Sequence, residues 1–396
     1  MSNQNTIKLS ILLILAVFVA SCSGNGDSVV EVPTHYEFNR DGASTVSYSG
    51  QTQRIAMLAE LSTYAKTGTT LVLSEQTLLN MFTNTNSPFN QSDLNQEGES
   101  RKQIASKVYG QGDGLSPNDG GATQTYFKEL LIELAQLSEL NNQTASNGIA
   151  GIVSNGSSNY LVNAQGFEPV QLLEKGLMGA LLFHQGTNVY LGEEKLSVSG
   201  SELAPEKSYT SLEHHFDEAY GYFDLPTDMS TFEEKGENGE LKFWAKYAYS
   251  RNGTDGIGYD IANRLHDAYR NARACISAKY DMADKDYDCT YNESIETIKT
   301  EWELLVAANA IHYINAAQAN LTNQGNICHS LSECIGFLQG LRYAKNGSSK
   351  LSATEIDQIE DLIGSNLWEV VPTNLTLAKN KIVAKYTELE PVKDQL

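Results

Sequence analysis

The segment TQTYFKELLIELAQLSEL, residues 123–140, places apolar side chains three and four positions apart along its length. This spacing is the period of an α-helix that buries one face. Alternation of period two is almost absent from the chain, apart from weak traces near its start. We therefore expect an all-α protein built from helical bundles, with little or no β-structure. The helical period recurs in 49–66, 74–82, 99–109, 169–185, 209–223, 240–251, 257–281, 292–322, 330–345, 352–364 and 373–387.

A stretch rich in Gly, Asn and Ser, residues 147–166, interrupts this helical pattern. Pro169, suited to a first helical position, opens the next helix. Ser330 with Glu333 is spaced as a capping box, and Thr373 stands where an N-cap is expected. The sequence predicts one all-α domain over 34–390, made of two helical halves that pack as two bundles, with the break near 147–166.

In the N-terminal segment, Lys8 is followed by the apolar run LSILLILAVFVA and then by the small residues that precede Cys22. This segment resembles the signal and lipobox of bacterial lipoproteins. The run is too short to span a bilayer as a mature helix, and small residues before a Cys suit signal cleavage. We expect a signal peptide over 1–21, lipidation of Cys22 and a flexible tether over 22–33. A secreted protein with a spare cysteine is the alternative.

Charge and cysteine content limit the kinds of binding partner and the cellular compartment that suit this protein. The formal net charge is −21, from 49 acidic and 28 basic residues, which argues against nucleic acid and against an anionic lipid surface. With Cys22 lipidated, four cysteines remain, an even number that suits an oxidising compartment and allows three pairings. Closeness in sequence favours Cys275 with Cys289 and Cys328 with Cys334.

Common catalytic signatures are missing from the sequence. It contains no His-Glu-x-x-His zinc motif, no Gly-x-Ser-x-Gly elbow, no phosphate-binding loop and no dinucleotide fingerprint. The acidic run at 283–296 begins like an EF-hand loop, but Cys289 replaces the turn glycine and Ile295 replaces the last ligand. A solvated acidic loop is the favoured interpretation there.

The segment HHFDEAYGYFD, residues 214–224, combines two histidines with several carboxylates. On a helix, His215 and Glu218 share one face, and the apolar stripe around them places His215 towards the core with Glu218 at its edge. His214 lies on a face about a quarter turn away. In the alternative interpretation, His215 only donates a hydrogen bond to a helix carbonyl, and Glu218 pairs with a basic residue.

Two other helices carry polar side chains on apolar faces. Asn309 and His312 interrupt the stripe of 296–321, and His184 ends the stripe of 174–185. Buried imidazoles are costly without partners, and bundle interiors are where facing helices build metal sites. We therefore predict a divalent metal bound by His215, Glu218 and His312, with further ligand contacts from His184, Asn309 and His214.

The lipobox, residues 32–61, EKGLMGALLFHQ, HHFDEAYGYFD and AIHYINAAQ occur in that order. Together they resemble a family of imelysin-related bacterial lipoproteins, domain of unknown function 4856. The resemblance implies an all-α fold of two bundles and a site marked by a Gly-x-His-x-x-Glu motif. His215 and Glu218 match its His and Glu, whereas Glu213 replaces its Gly. Imelysin-like proteins are linked to peptide cleavage and to iron uptake.

Three functions follow as hypotheses. The leading one is a lipoprotein of the bacterial cell envelope, anchored in the outer membrane of a Gram-negative cell, that binds a metal or metal-linked ligand beside an uptake system. The second is a metallopeptidase or other hydrolase, in which the bound metal activates water. The third is a structural or partner-binding envelope protein whose histidines are satisfied core residues.

Overall fold

The computed structural model describes residues 28–98, 101–110, 121–252, 260–344 and 349–396. Within these ranges the protein is predominantly helical, as predicted, and the strands are short. The helices are α1 Ser49–Lys66, α2 Glu75–Thr83, α3 Ala122–Ser138, α4 Pro169–Leu177, α5 Glu193–Leu196, α6 Ser211–Phe223, α7 Phe232–Glu237, α8 Phe243–Arg251, α9 Ile261–Asp281, α10 Tyr291–Ala319, α11 Gln324–Leu341, α12 Ala353–Ile363 and α13 Pro372–Lys385.

Among the described residues, the strands form three pairs. β1 Ser28–Val29 pairs in parallel with β6 Tyr287–Asp288, and β2 Asn39–Arg40 pairs antiparallel with β3 Ala43–Ser44. The longest pair is the antiparallel hairpin of β4 Gly151–Asn155 and β5 Ser158–Val162. This hairpin occupies the Gly/Asn/Ser-rich stretch at 147–166 that was expected to be a break between helical halves.

The centre of the molecule is one continuous buried helix. α4 passes directly into a π-helix, Met178–Tyr190, and every residue from Pro169 to Tyr190 is buried. This helix packs against α1, α3, α6 and α11. A Cβ on Gly179 would lie 2.3 Å from the Cα of Gly340, so only glycine permits this close approach to α11. The division into two bundles stays a prediction.

Several predicted helix boundaries are wrong. The predicted helix at 99–109 is absent from its described part, where only the short 3-10 turn Ala105–Lys107 occurs. Side chains satisfy carbonyl groups of this segment instead: Asn84 donates to Lys102, and Gln124 donates to Ala105. At the start of α13 the N-cap is Val371, and Pro372 takes the first helical position in place of the expected Thr373 cap.

α11 also begins earlier than predicted. Its N-cap is Asn323, whose side chain accepts a hydrogen bond from the Asn326 N–H. Ser330 and Glu333, which resemble a capping box in sequence, lie inside the helix and are buried. The six residues before Ser330 are therefore helical, including His329.

The structure describes only part of the predicted signal and tether region. The signal peptide 1–21, Cys22 and the first part of the tether lie outside the described residues. The end of the expected tether is ordered on the protein body, because Ser28 and Val29 pair with β6 and the Pro33 carbonyl accepts a hydrogen bond from Arg270. In the described part of the chain, no helix combines the length and apolar character needed to cross a membrane.

One of the two predicted disulfides is present. Cys275 of α9 is bonded to Cys289, which follows β6. The pairing of Cys328 with Cys334 is wrong, because both are free and buried on α11. Six helical positions separate them by about 9 Å along the axis, beyond the reach of a disulfide. Burial raises the pKa of the Cys328 thiol to about 11.

Candidate ligand-binding site

The inward carboxylates of α6 are Glu213 and Asp217, and both side chains are fully buried. Arg273 of α9 joins them: its Nε lies 2.8 Å from Asp217 and its Nη1 lies 2.9 Å from Glu213. Its Nη2 also donates to the carbonyl oxygen of Thr45 at 3.1 Å. Arg40 adds a second guanidinium on Glu213 at 3.0 Å. This network fastens the N-terminal segment to α6 and α9.

The predicted inward pair of α6 lies nearer the surface. His215 Nδ1 donates to the Lys195 carbonyl oxygen at 3.2 Å, and burial lowers the pKa of this imidazole. Glu218 accepts a hydrogen bond of 2.7 Å from Gln51. His214 donates to the Ser47 carbonyl oxygen at 2.9 Å, and its Nε2 lies 3.8 Å from Glu218. These contacts correspond to satisfied structural histidines.

The other predicted ligands lie in separate surroundings. His312 accepts a hydrogen bond of 2.7 Å from Arg251, and burial together with this guanidinium lowers its pKa to about 4. Asn309 donates to the Leu305 carbonyl oxygen of its own helix at 2.8 Å. His184 Nδ1 lies 3.2 Å from the Tyr343 carbonyl oxygen.

The predicted metal site is therefore not assembled. His215 contacts the Lys195 carbonyl oxygen and Glu218 contacts Gln51, whereas the Nδ1 atom of His312 accepts its hydrogen bond from Arg251. Across the described ranges, no group of three or more His, Cys, Asp or Glu side chains is arranged to hold a metal ion. Apolar periodicity placed each histidine on a helix face, but it could not tell which partner each imidazole meets.

A different His/Glu pair does come together. Glu168 stands just before Pro169 at the start of α4, and its N–H donates to the Ser332 hydroxyl at 2.8 Å. Its Oε2 accepts a hydrogen bond of 2.7 Å from His329 Nδ1. The His329 ring stacks on Tyr160 of β5, with centroids 4.2 Å apart and planes 10° apart. Three distant segments of the chain thus meet at one imidazole.

A cavity of about 300 Å³ lies beside this pair. Two buried polar residues are among those that line it: Glu168, 3% exposed, and Gln171, 5% exposed. Gln171 Nε2 makes a long contact of 3.4 Å with Glu168, whereas its Oε1 has no hydrogen-bond partner among the described residues. The remaining lining residues are Ala65, Lys66, Thr69, Leu134, Ser158, Asn159, Tyr160, Leu161 and Val170.

The family model for "Domain of unknown function (DUF4856)" matches residues 33–388. The chain belongs to the DUF4856 family. No curated protein and no solved structure matches it. The resemblance seen in the sequence is thereby confirmed for DUF4856, whereas the relation to imelysins stays a prediction. The match includes every residue of the cavity described above.

In this DUF4856 protein, a cluster of charged side chains continues from the half-exposed Lys66 at the cavity into the core. Lys66 of the cavity wall lies 2.6 Å from Glu174, and Lys175 lies 2.5 Å from Glu174 and 3.0 Å from Glu333. Burial disfavours the Glu174 carboxylate, but Lys175 and Lys66 outweigh this and lower its pKa well below its usual range. Burial likewise disfavours the Lys175 ammonium, but Glu174 and Glu333 raise its pKa.

His329 is the titratable group of this cluster that lies closest to Glu168. Burial disfavours the imidazolium, but the hydrogen bond and the charge of Glu168 outweigh it and raise the pKa of His329. The other carboxylates of the cluster have cationic partners: Glu174 pairs with Lys66 and Lys175, and Glu333 pairs with Lys175 and also interacts with Arg251. The partner of Glu168 is the His329 imidazole, which carries a charge only when it is protonated.

Apolar periodicity does not single out Glu168, Gln171 or His329. Glu168 is the N-cap of α4 and Gln171 lies in its first turn, so neither belongs to the apolar stripe that marks this helix. His329 precedes Ser330, where the sequence predicts a helix start, so it falls outside the predicted helices. The Asn at position 323 was the available signal, because Asn is among the favoured N-cap residues.

Proposed function

We propose that this DUF4856 protein is a lipid-anchored binding protein of the bacterial cell envelope that holds a small organic amine beside Glu168. One observation carries the proposal: the buried residues Glu168 and Gln171 line a cavity of about 300 Å³, and the buried Gln171 Oε1 has no donor in the described structure. Buried polar atoms are normally satisfied, so an orphan acceptor at a cavity suits a ligand that supplies an N–H group.

Charge favours an amine over a neutral donor. With His329 neutral, the Glu168 carboxylate carries a negative charge whose two hydrogen-bond partners, His329 and Gln171, are uncharged. An ammonium group donating to Glu168 and Gln171 would satisfy both acceptors and neutralise Glu168 at once. The apolar side chains of Leu134, Leu161 and Val170 would contact the carbon skeleton of such a ligand.

The envelope location rests on the sequence of the N-terminus. The apolar run and the small residues before Cys22 support cleavage and lipidation, and we propose anchoring in the outer membrane of a Gram-negative cell. The same proposal includes an uptake system or another envelope protein as the partner. It does not include a metal held by His215, Glu218 and His312, because these side chains have separate partners.

Thermal unfolding with a panel of compounds tests the proposal. The panel pairs small primary amines with alcohols and carboxylates of equal carbon skeleton. An amine that binds should stabilise the protein by about 2.7 kcal/mol at a hundredfold excess over its dissociation constant, whereas the matched alcohol should have little effect. Stabilisation by carboxylates alone, or by none of the compounds, would contradict an amine site.

Glu168→Gln and Gln171→Leu should both remove the amine-dependent stabilisation. Glu234→Gln is the matched control, because Glu234 is an exposed carboxylate on α7 that does not line the cavity. Gln171→Leu is the more informative variant, since its Oε1 lacks a partner and its removal should leave the ligand-free protein folded.

A further inference from the structure

We propose that the end of the molecule formed by β1 and β6 faces the membrane, and that the ligand cavity lies at the opposite end. This inference rests on the proposed lipid anchor at Cys22 and adds the direction in which the protein stands on the bilayer. The partner surface is a lipid bilayer, and it meets the loop between α9 and α10.

The N-terminal end of the described chain lies against β6. Ser28 and Val29 pair with Tyr287 and Asp288, and the Ser28 N–H donates to the Asp286 carbonyl oxygen at 2.9 Å. The Cys275–Cys289 disulfide links the end of this loop to α9. Cys22 lies six positions before Ser28, a distance that the chain can span with at most about 21 Å. A lipid on Cys22 therefore holds β1 and β6 close to the bilayer.

The length of α10 sets the distance between β6 and the start of α11. This helix has 29 residues and starts at Tyr291, directly after the β6 loop, so it extends roughly 44 Å away from it. The chain then reverses, and α11 begins at Gln324. His329 is five residues into α11, which returns it by roughly 8 Å. About 35 Å along the α10 axis thus separate the anchored end from His329.

The cavity lies at the end of α10 that is distant from β6. Asn323, at the turn between α10 and α11, donates to Asn155 of the β4–β5 hairpin at 2.8 Å. A Cβ on Gly325 would lie 2.2 Å from the Ser154 carbonyl oxygen, so the hairpin touches the start of α11. The same hairpin supplies Tyr160, which lines the cavity and stacks on His329. The cavity is built on the turn distant from β6.

The reverse orientation has a recognisable signature. Leu71 and Val72, 58% and 65% exposed, follow Thr69 of the cavity wall and would be the groups to insert into lipid. The formal charge of −21 supplies no general attraction to an anionic membrane. The covalent attachment beside β1 therefore sets the orientation, and Val29, 89% exposed, lies at that end.

Photo-crosslinking to lipid tests the orientation. The full acylated chain is reconstituted into phosphatidylcholine vesicles that contain a lipid with a photoactivatable headgroup, and the crosslinked peptides are mapped by mass spectrometry. We expect crosslinks at 28–33 and 282–292, and at least tenfold fewer at 69–72, 154–161 and 321–329. Equal labelling at both ends, or labelling concentrated at 69–72, overturns the proposal.

Two variants separate this inference from the anchor itself. A flexible insertion of twenty residues directly before Ser28 should preserve acylation and membrane association but reduce crosslinks at 282–292 to the level of the cavity end. Cys22→Ser should abolish all crosslinks. A wild-type chain without an acyl group overturns the anchor and the orientation together, whereas an acylated chain that crosslinks through 69–72 overturns the orientation alone.

Discussion

Glu168 Oε2 lies 2.7 Å from His329 Nδ1, although the two residues are 161 positions apart in the chain. The contact joins the start of the buried central helix to the second turn of α11. Because the pKa of His329 is raised, mainly by Glu168 acting against the cost of burial, the pair carries its full ionic character only when the imidazole is protonated. The cavity beside it is therefore coupled to pH.

Amine affinity should increase as pH rises. Below the pKa of His329, the imidazolium already neutralises Glu168 and competes with a bound ammonium group. As pH rises through that pKa, which lies above the unperturbed value of about 6.5, the competing proton leaves and binding strengthens. Calorimetric titrations between pH 6 and 9 measure the change. His329→Gln should bind with nearly constant affinity over this range, and a wild-type affinity that falls with pH would contradict the assignment.

Removing the buried guanidinium of Arg273 should destabilise the fold strongly. Arg273→Met leaves Glu213 and Asp217 buried without their shared partner, so we expect a loss of about 3–5 kcal/mol in the free energy of unfolding. The measurement is urea unfolding at neutral pH. Arg264→Met is the matched control, because Arg264 pairs with Glu301 while 46% exposed and should lose about 1 kcal/mol or less. Equal losses in both variants would show that the network does not brace the N-terminal segment.

The disulfide pattern is directly measurable. Replacing Cys275 and Cys289 by serine opens a loop with a sequence separation of 14 and should cost about 3 kcal/mol. Non-reduced peptide mapping should find this bond and no bond between Cys328 and Cys334. Those two thiols are buried, so alkylation should reach them only after unfolding. Rapid alkylation in the native state would disagree with their position on α11.

Metal ions should not stabilise the protein through His215. Its Nδ1 faces the Lys195 carbonyl oxygen, and His312 accepts a hydrogen bond from Arg251, so the three predicted ligands do not share a centre. Thermal melting with Fe, Zn, Mn, Cu and Ca, with and without chelator, should show no shift that depends on His215. A shift present in the wild type and lost in His215→Ala would restore the metal site predicted from sequence.

The sequence predicted the helical class because apolar periodicity records burial directly. It did not predict the polar core, because the spacing within a helix does not show which distant group a side chain meets. In α6 the spacing of Glu213 and Asp217 put them on one face, but their burial depends on Arg273, which lies 60 positions from Glu213. The helical position of His329 was not predicted, because Ser330 and Glu333 have the spacing of a capping box and indicate a helix start after it.

The amine site is tested by calorimetric titration of the purified protein at pH 8 with the amine of the panel that stabilises it most. The proteins compared are wild type, Glu168→Gln, Gln171→Leu and Glu234→Gln. A hydrogen bond to a charged group contributes about 1.5–3 kcal/mol, so each cavity variant should bind at least about tenfold more weakly. The Glu234→Gln control should bind like the wild type. Undiminished binding in both cavity variants would contradict a ligand held by Glu168 and Gln171.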